Sequence, residues 1–105
     1  NKTWMYWFTW PTPVLGGLVG SCHALDIPFA FDNLSSPRTD GLTGEGTERA
    51  AIAKRFADEI VFFAKESVAS WPTFDVEVRS TLEINTEFAV LSDPEKEIRE
   101  IFQSL

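Results

Sequence analysis

Residues 16–31 read Gly-Gly-Leu-Val-Gly-Ser-Cys-His-Ala-Leu-Asp-Ile-Pro-Phe-Ala-Phe. A glycine-rich approach leads to His23, the chain's one histidine, with Asp26 three residues on and an apolar run behind it. Gly16, Gly17 and Gly20 predict a loop with unusual backbone freedom, and Ala24 to Asp26 a turn ahead of Pro28. Histidine moves protons near neutral pH, because its unperturbed pKa is ~6.5. His23 is therefore the candidate proton carrier, although a lone histidine beside apolar residues more often has a structural role. Cys22 adjoins it, yet neighbours in an extended segment point to opposite faces. Catalytic Cys-His pairs are assembled by the fold and not by adjacency, so Cys22 reads as a small apolar filler. Ser21 lacks the flanking glycines of Gly-x-Ser-x-Gly, as does every other serine in the chain, so no hydrolase nucleophile of that type is present. The only metal-ligand types near His23 are Cys22 and Asp26, without the paired spacing of a zinc site. No metal or cofactor is called for.

Upstream of this segment, Thr3 to Trp10 carries apolar side chains on both alternating sets, Trp4, Tyr6, Phe8, Trp10 and Met5, Trp7. That pattern predicts a strand from the interior of a sheet covered on both faces, as in α/β proteins, ended by Pro11 and Pro13. Downstream, Asn33 to Gly46 is polar and predicts an exposed connection. From Thr47 as the expected N-cap to about Glu66, Ile52, Phe56, Ile60 and Phe63 recur at helical spacing, with Arg49, Lys54, Asp58 and Lys65 on the opposite face. Thr81 to Ile84 and Phe88 to Leu91 predict a hairpin across Asn85-Thr86-Glu87. Ser92-Asp93-Pro94-Glu95 offers a helix start capped by Asp93 or Ser92, and Ile98, Ile101, Phe102 and Leu105 the buried side of a terminal helix. No internal repeat or low-complexity stretch interrupts this order.

The chain has 105 residues, the length of one domain with one core. Its mass of 11.8 kDa predicts a folded surface of roughly 5,900 Å². Nine basic against sixteen acidic residues leave a net charge of -7, which argues against a phosphate-binding surface and hence against nucleic acid as a partner. Most of the acids belong to solvated helix faces, Asp26 being the exception. No apolar run approaches the ~20 residues of a membrane span. One unpaired thiol suits a reducing compartment such as the cytoplasm. Residues 1 to 25 hold no acid, a single base in Lys2, and Trp4, Trp7 and Trp10. A strand of such composition at the very start of a chain leads us to expect a piece of a larger sheet, one that pairs with a second copy through its bare strand if it stands alone.

The segment 16–31 resembles the histidine region of type B carboxylesterases, the group of para-nitrobenzyl esterases and cholinesterases. Phe62-Phe63-Ala64-Lys65, Trp71-Pro72-x-Phe74-Asp75, Thr81-Leu82-Glu83-Ile84 and Asp93-Pro94 follow in the order they take in the C-terminal part of those enzymes. The resemblance implies that residues 1–105 form the C-terminal portion of an α/β-hydrolase fold, within one catalytic domain whose upstream part lies outside them. It implies ester hydrolysis through an acyl-enzyme, a small-molecule ester as substrate, His23 as the triad histidine, and a second-shell or structural role for Asp26. The nucleophile, triad acid and oxyanion hole would lie upstream, so these residues alone are expected to be inactive. Asp32 stands where the family usually has Gly, and Glu66-Ser67-Val68-Ala69 where Gly-Asp-Pro is common, both outside the proton chemistry. The family also holds adhesion members without the triad, so a non-catalytic interaction domain is the alternative. A free-standing acidic domain that binds through a sheet edge is a third reading.

Overall fold

The computed structural model describes residues 1–105. Its sheet has three strands in the order β1 (Met5–Phe8), β2 (Ser80–Ile84), β3 (Phe88–Ser92). β1 runs parallel to β2, with Tyr6 opposite Leu82 and Phe8 opposite Ile84. β2 and β3 form the expected hairpin, Ile84 facing Phe88 across the Asn85-Thr86-Glu87 connection. The crossover from β1 to β2 carries α1 (Ile27–Ala30), α2 (Asp40–Thr43) and α3 (Thr47–Glu66), and α4 (Lys96–Gln103) follows the hairpin.

Alternation along the strands decides where the core lies. Tyr6 and Phe8 of β1 share a face with Leu82 and Ile84 of β2, and α3 lies over that face. Phe8, Leu25, Phe29, Ile52, Ala53, Phe56, Leu82 and Ile84 close into one buried cluster. Within it Phe56 meets Tyr6 edge-on at 5.1 Å and Phe8 near-parallel at 6.2 Å between ring centroids. Met5 and Trp7 point the other way and stay 42% and 37% exposed. β1 is thus an edge strand with one covered face, where its composition predicts two covered faces and neighbours on both sides. The accessible surface of 7225 Å² exceeds the ~5,900 Å² expected for this mass, in keeping with a flat arrangement of 42 × 36 × 19 Å.

Several expectations need correction. Thr47 is the first helical residue and Gly46 the cap of α3, with φ 107° and no side-chain capping bond. Along α3 only Ile52, Ala53 and Phe56 are buried, while Ile60 and Phe63 lie beyond the covering strands and remain about half exposed. The segment 33–46 is not simply exposed: Thr39 and Thr43 are buried because their neighbours supply hydrogen bonds. Thr12 Oγ1 donates to the Leu42 carbonyl at 2.6 Å, Trp10 Nε1 to the Thr43 carbonyl at 2.8 Å, and Arg49 Nη1 to Thr43 Oγ1 at 2.6 Å. Arg49, read as part of a solvated face, is drawn inward by this network and by Asp40. At α4, Glu95 takes the cap position without a side-chain bond, since the Asp93 carboxylate is held by Arg99. A two-pronged charged pair outcompetes a single bond to a helix N–H. Ile98, Ile101, Phe102 and Leu105, expected on a buried side, are all exposed.

Candidate functional site

The loop that carries His23 is tied back to the C-terminal end of β1. Prolines at 11 and 13 stop the strand, and a 3-10 turn over Val14–Gly17 reverses the chain. Gly20, at φ 65°, completes the reversal in a conformation open to glycine at no steric cost. Its carbonyl then accepts from the Thr12 N–H at 3.0 Å, and Ser21 Oγ donates to the Phe8 carbonyl at 2.8 Å. These bonds set the next residues across the end of the strand, where open α/β sheets place their ligands.

Beyond Ser21 the backbone turns sharply at Ala24, whose φ of 65° is left-handed and costs a non-glycine residue on the order of 1–2 kcal/mol. Burial offsets that strain. Leu25 and Phe29 are fully enclosed, and half-buried Cys22 packs against the same cluster as the apolar filler its sequence context predicts. The turn runs directly into α1, a single helical turn with Pro28 in its first positions that the broken local pattern did not disclose.

His23 and Asp26 are not brought together as a pair. The Asp26 carboxylate accepts a hydrogen bond from Tyr6 Oη at 2.8 Å, which fastens the turn to the middle of β1. Burial pushes the Tyr6 hydroxyl up to about 12, helped by that bond and by the negative charge it faces. His23 is exposed and takes part in none of the side-chain bonds or ion pairs of the chain. The arrangement therefore presents one free imidazole from a turn whose flanks are anchored by Ser21, Leu25, Asp26 and Phe29. It is able to accept and return a proton; beside it the Ser21 hydroxyl is engaged by the Phe8 carbonyl and the Cys22 thiol packs against the core cluster. No group of three or more His, Cys, Asp or Glu side chains is placed to hold a metal ion. No helix is long and apolar enough to cross a membrane.

Tyr6 is the site residue that sequence reasoning missed. Twenty positions separate it from Asp26, and its only signal is a hydroxyl in the middle of an otherwise apolar strand.

No family model matches the chain. It is 32% identical to the para-nitrobenzyl esterase of Bacillus subtilis (strain 168) over an alignment that covers 92% of this chain and 21% of that protein. Among solved structures, a PNB esterase superposes with a TM-score of 0.77 at 29% identity, over 94% of this chain and 21% of the other. A thermophilic PNB esterase agrees equally well, with a TM-score of 0.77. A carboxylesterase of Geobacillus stearothermophilus gives 0.76 at 29% identity, over 95% of this chain and 22% of its own. The chain thus spans about a fifth of the length of the proteins it matches.

Proposed function

We propose, on the premise that this chain belongs to the carboxylesterase family and forms a portion of its α/β-hydrolase fold, that His23 is the proton-transferring histidine of a serine carboxylic ester hydrolase. The observation that carries the reading is an unengaged imidazole held at the C-terminal end of a parallel strand by anchors on both sides of it. In the reaction, a serine supplied from outside these residues attacks the ester carbonyl while His23 takes its proton. As the tetrahedral intermediate collapses, His23 returns that proton to the departing alcohol and leaves an acyl-enzyme. Water then attacks the acyl carbon, again losing its proton to His23, which returns it to the departing serine oxygen as the carboxylic acid leaves. A carboxylate and oxyanion-stabilising N–H groups, also from outside, orient the imidazole and hold the developing charge.

Asp26 positions the turn and is not the triad acid, because its carboxylate bonds to Tyr6 and makes no hydrogen bond to His23. Residues 1–105 serve as the C-terminal part of one catalytic domain. The bare outer edge of β1 and the open side of Met5 and Trp7 support that assignment, being surfaces a fuller sheet would cover. By themselves the 105 residues hydrolyse no ester and associate as dimers through β1.

The test is a chimera in which these residues replace the matching fifth of the Bacillus subtilis para-nitrobenzyl esterase. It should hydrolyse a para-nitrophenyl ester, and His23→Gln should lower kcat on the order of 10⁵- to 10⁶-fold. An active chimera that loses less than about tenfold would refute the role of His23. A folded but inactive chimera would favour the non-catalytic alternative.

A further inference from the structure

At the other end of β1 from His23, the strand's open side meets the start of α4 around a cavity of about 280 Å³. Met5, Trp7 and Phe74 supply apolar wall, and Arg79, Asp93 and Arg99 supply charge. The three charged groups are unevenly matched. Both oxygens of Asp93 are taken by Arg99, Oδ1 by Nε at 2.9 Å and Oδ2 by Nη2 at 2.6 Å. Arg79 comes no nearer than 3.7 Å, from its Nε to the same Oδ1. That is too long for a hydrogen bond. The Arg79 side chain is only 22% exposed, yet its guanidinium hydrogen-bonds no protein acceptor. No fully buried polar side-chain atom in the chain lacks a partner, so the unpaired donors of Arg79, a residue of the cavity wall, are accessible to solvent.

The backbone holds these groups in place. Arg79 and Asp93 both adopt left-handed φ, 55° and 50°. The two segments are joined by the Asp93 N–H to the Arg79 carbonyl at 3.3 Å and by Ser92 Oγ to the Val78 carbonyl at 2.9 Å. Glu95 also borders the cavity and forms no ion pair with either arginine.

We propose that this cavity is a binding site for one carboxylate carrying an apolar group, with Arg79 as its principal partner. A guanidinium presents parallel N–H groups that match a carboxylate in a two-pronged fork. With Asp93 and Glu95 balancing Arg79 and Arg99 the cavity carries no net charge, so the open donors of Arg79 suit a single negative charge better than a phosphate dianion. The cavity lies just below the ~300–1,000 Å³ usual for small-molecule sites, which limits the ligand to a short aliphatic or single-ring acid. The same chemistry comes from a free monocarboxylate or from an Asp or Glu side chain of polypeptide beyond these 105 residues.

Benzoate is the probe, titrated into the 105-residue chain by calorimetry and tryptophan fluorescence, with benzamide as its uncharged counterpart. Saturable binding is expected for benzoate and at least about tenfold weaker binding for benzamide. Arg79→Gln should weaken benzoate by a similar factor, and Arg79→Lys should recover part of the loss. Should Arg79→Gln fail to fold, Met5→Glu keeps Arg79 and places a carboxylate beside it, so that benzoate binding disappears. In the chimeric esterase, retained binding assigns the site to a free acid. Loss of binding there, with a lower melting temperature for Arg79→Gln, assigns it to a carboxylate of the protein. Failure of the chain to bind benzoate, or equal binding of benzoate and benzamide, overturns the proposal. These readings are binding and melting, not turnover, so they stand or fall separately from the role of His23.

Discussion

Tyr6 is the chain's only tyrosine, so the absorbance of ionised phenol in an alkaline titration reports that one side chain. Its hydroxyl should titrate at about 12, against an ordinary value of 10.0, because folding buries the ring and sets the hydroxyl on the Asp26 carboxylate. A rise of two units corresponds to about 2.7 kcal/mol, at about 1.36 kcal/mol per unit. Tyr6 is 38% exposed, and solvent screening brings the effect on stability down to about 1 kcal/mol. The sign follows from the folded value lying above the unfolded one. Below pH 10 both states keep the proton and stability is unaffected; between 10 and about 12 the unfolded chain loses it first and stability falls. Asp26→Asn keeps an acceptor and removes the charge, while burial, the larger cause, remains. The midpoint should therefore move only part of the way back toward 10. A wild-type midpoint near 10, or no movement in Asp26→Asn, would refute the coupling that fastens the His23 turn to β1.

Phe56 is fully buried against Tyr6 and Phe8, and Phe56→Ala should cost about 3–5 kcal/mol in urea unfolding; less than about 1 kcal/mol would mean that α3 does not seat on the sheet there. Ala24→Gly relieves a left-handed residue beside His23, and a net gain of about 0–1 kcal/mol is expected once the greater freedom of the unfolded glycine chain is counted. The same exchange at Ala53, buried in α3, should cost about 1 kcal/mol or more. Equal losses at the two positions in thermal melts would contradict the turn geometry at Ala24.

Where a pattern repeats within one element, the linear sequence carried it. The recurrence of Ile52 and Phe56 disclosed α3, and two short β-rich runs around Asn85-Thr86-Glu87 disclosed the hairpin, because local hydrophobic period and turn chemistry suffice for both. Burial was less legible. Thr43 counts as polar in any pattern, yet it lies inside because the Thr39 carbonyl and the Arg49 guanidinium satisfy its hydroxyl. Ile101 and Phe102 repeat like core residues, yet no element of the chain lies over them. Periodicity states which face of a helix is apolar and not what covers it. Among the candidate site residues His23 stands out by type and setting, and Tyr6 does not, since its contact with Asp26 is made by folding the chain back across twenty positions.

The sequence by itself determined which residue is the candidate proton carrier, where the hairpin and the long helix lie, and, through the segment around His23, which family the chain resembles. Those properties depend on side-chain chemistry and on neighbours a few positions away. Only the tertiary structure decided that Asp26 answers Tyr6 and not His23, that Asp93 serves Arg99 before any helix cap, and that Arg79, in the wall of a cavity, is left without a hydrogen-bond acceptor for its guanidinium. Each of these outcomes is a competition among partners, twenty positions apart for Tyr6 and Asp26 and six for Asp93 and Arg99. The winner is set by which groups the fold brings within hydrogen-bond reach.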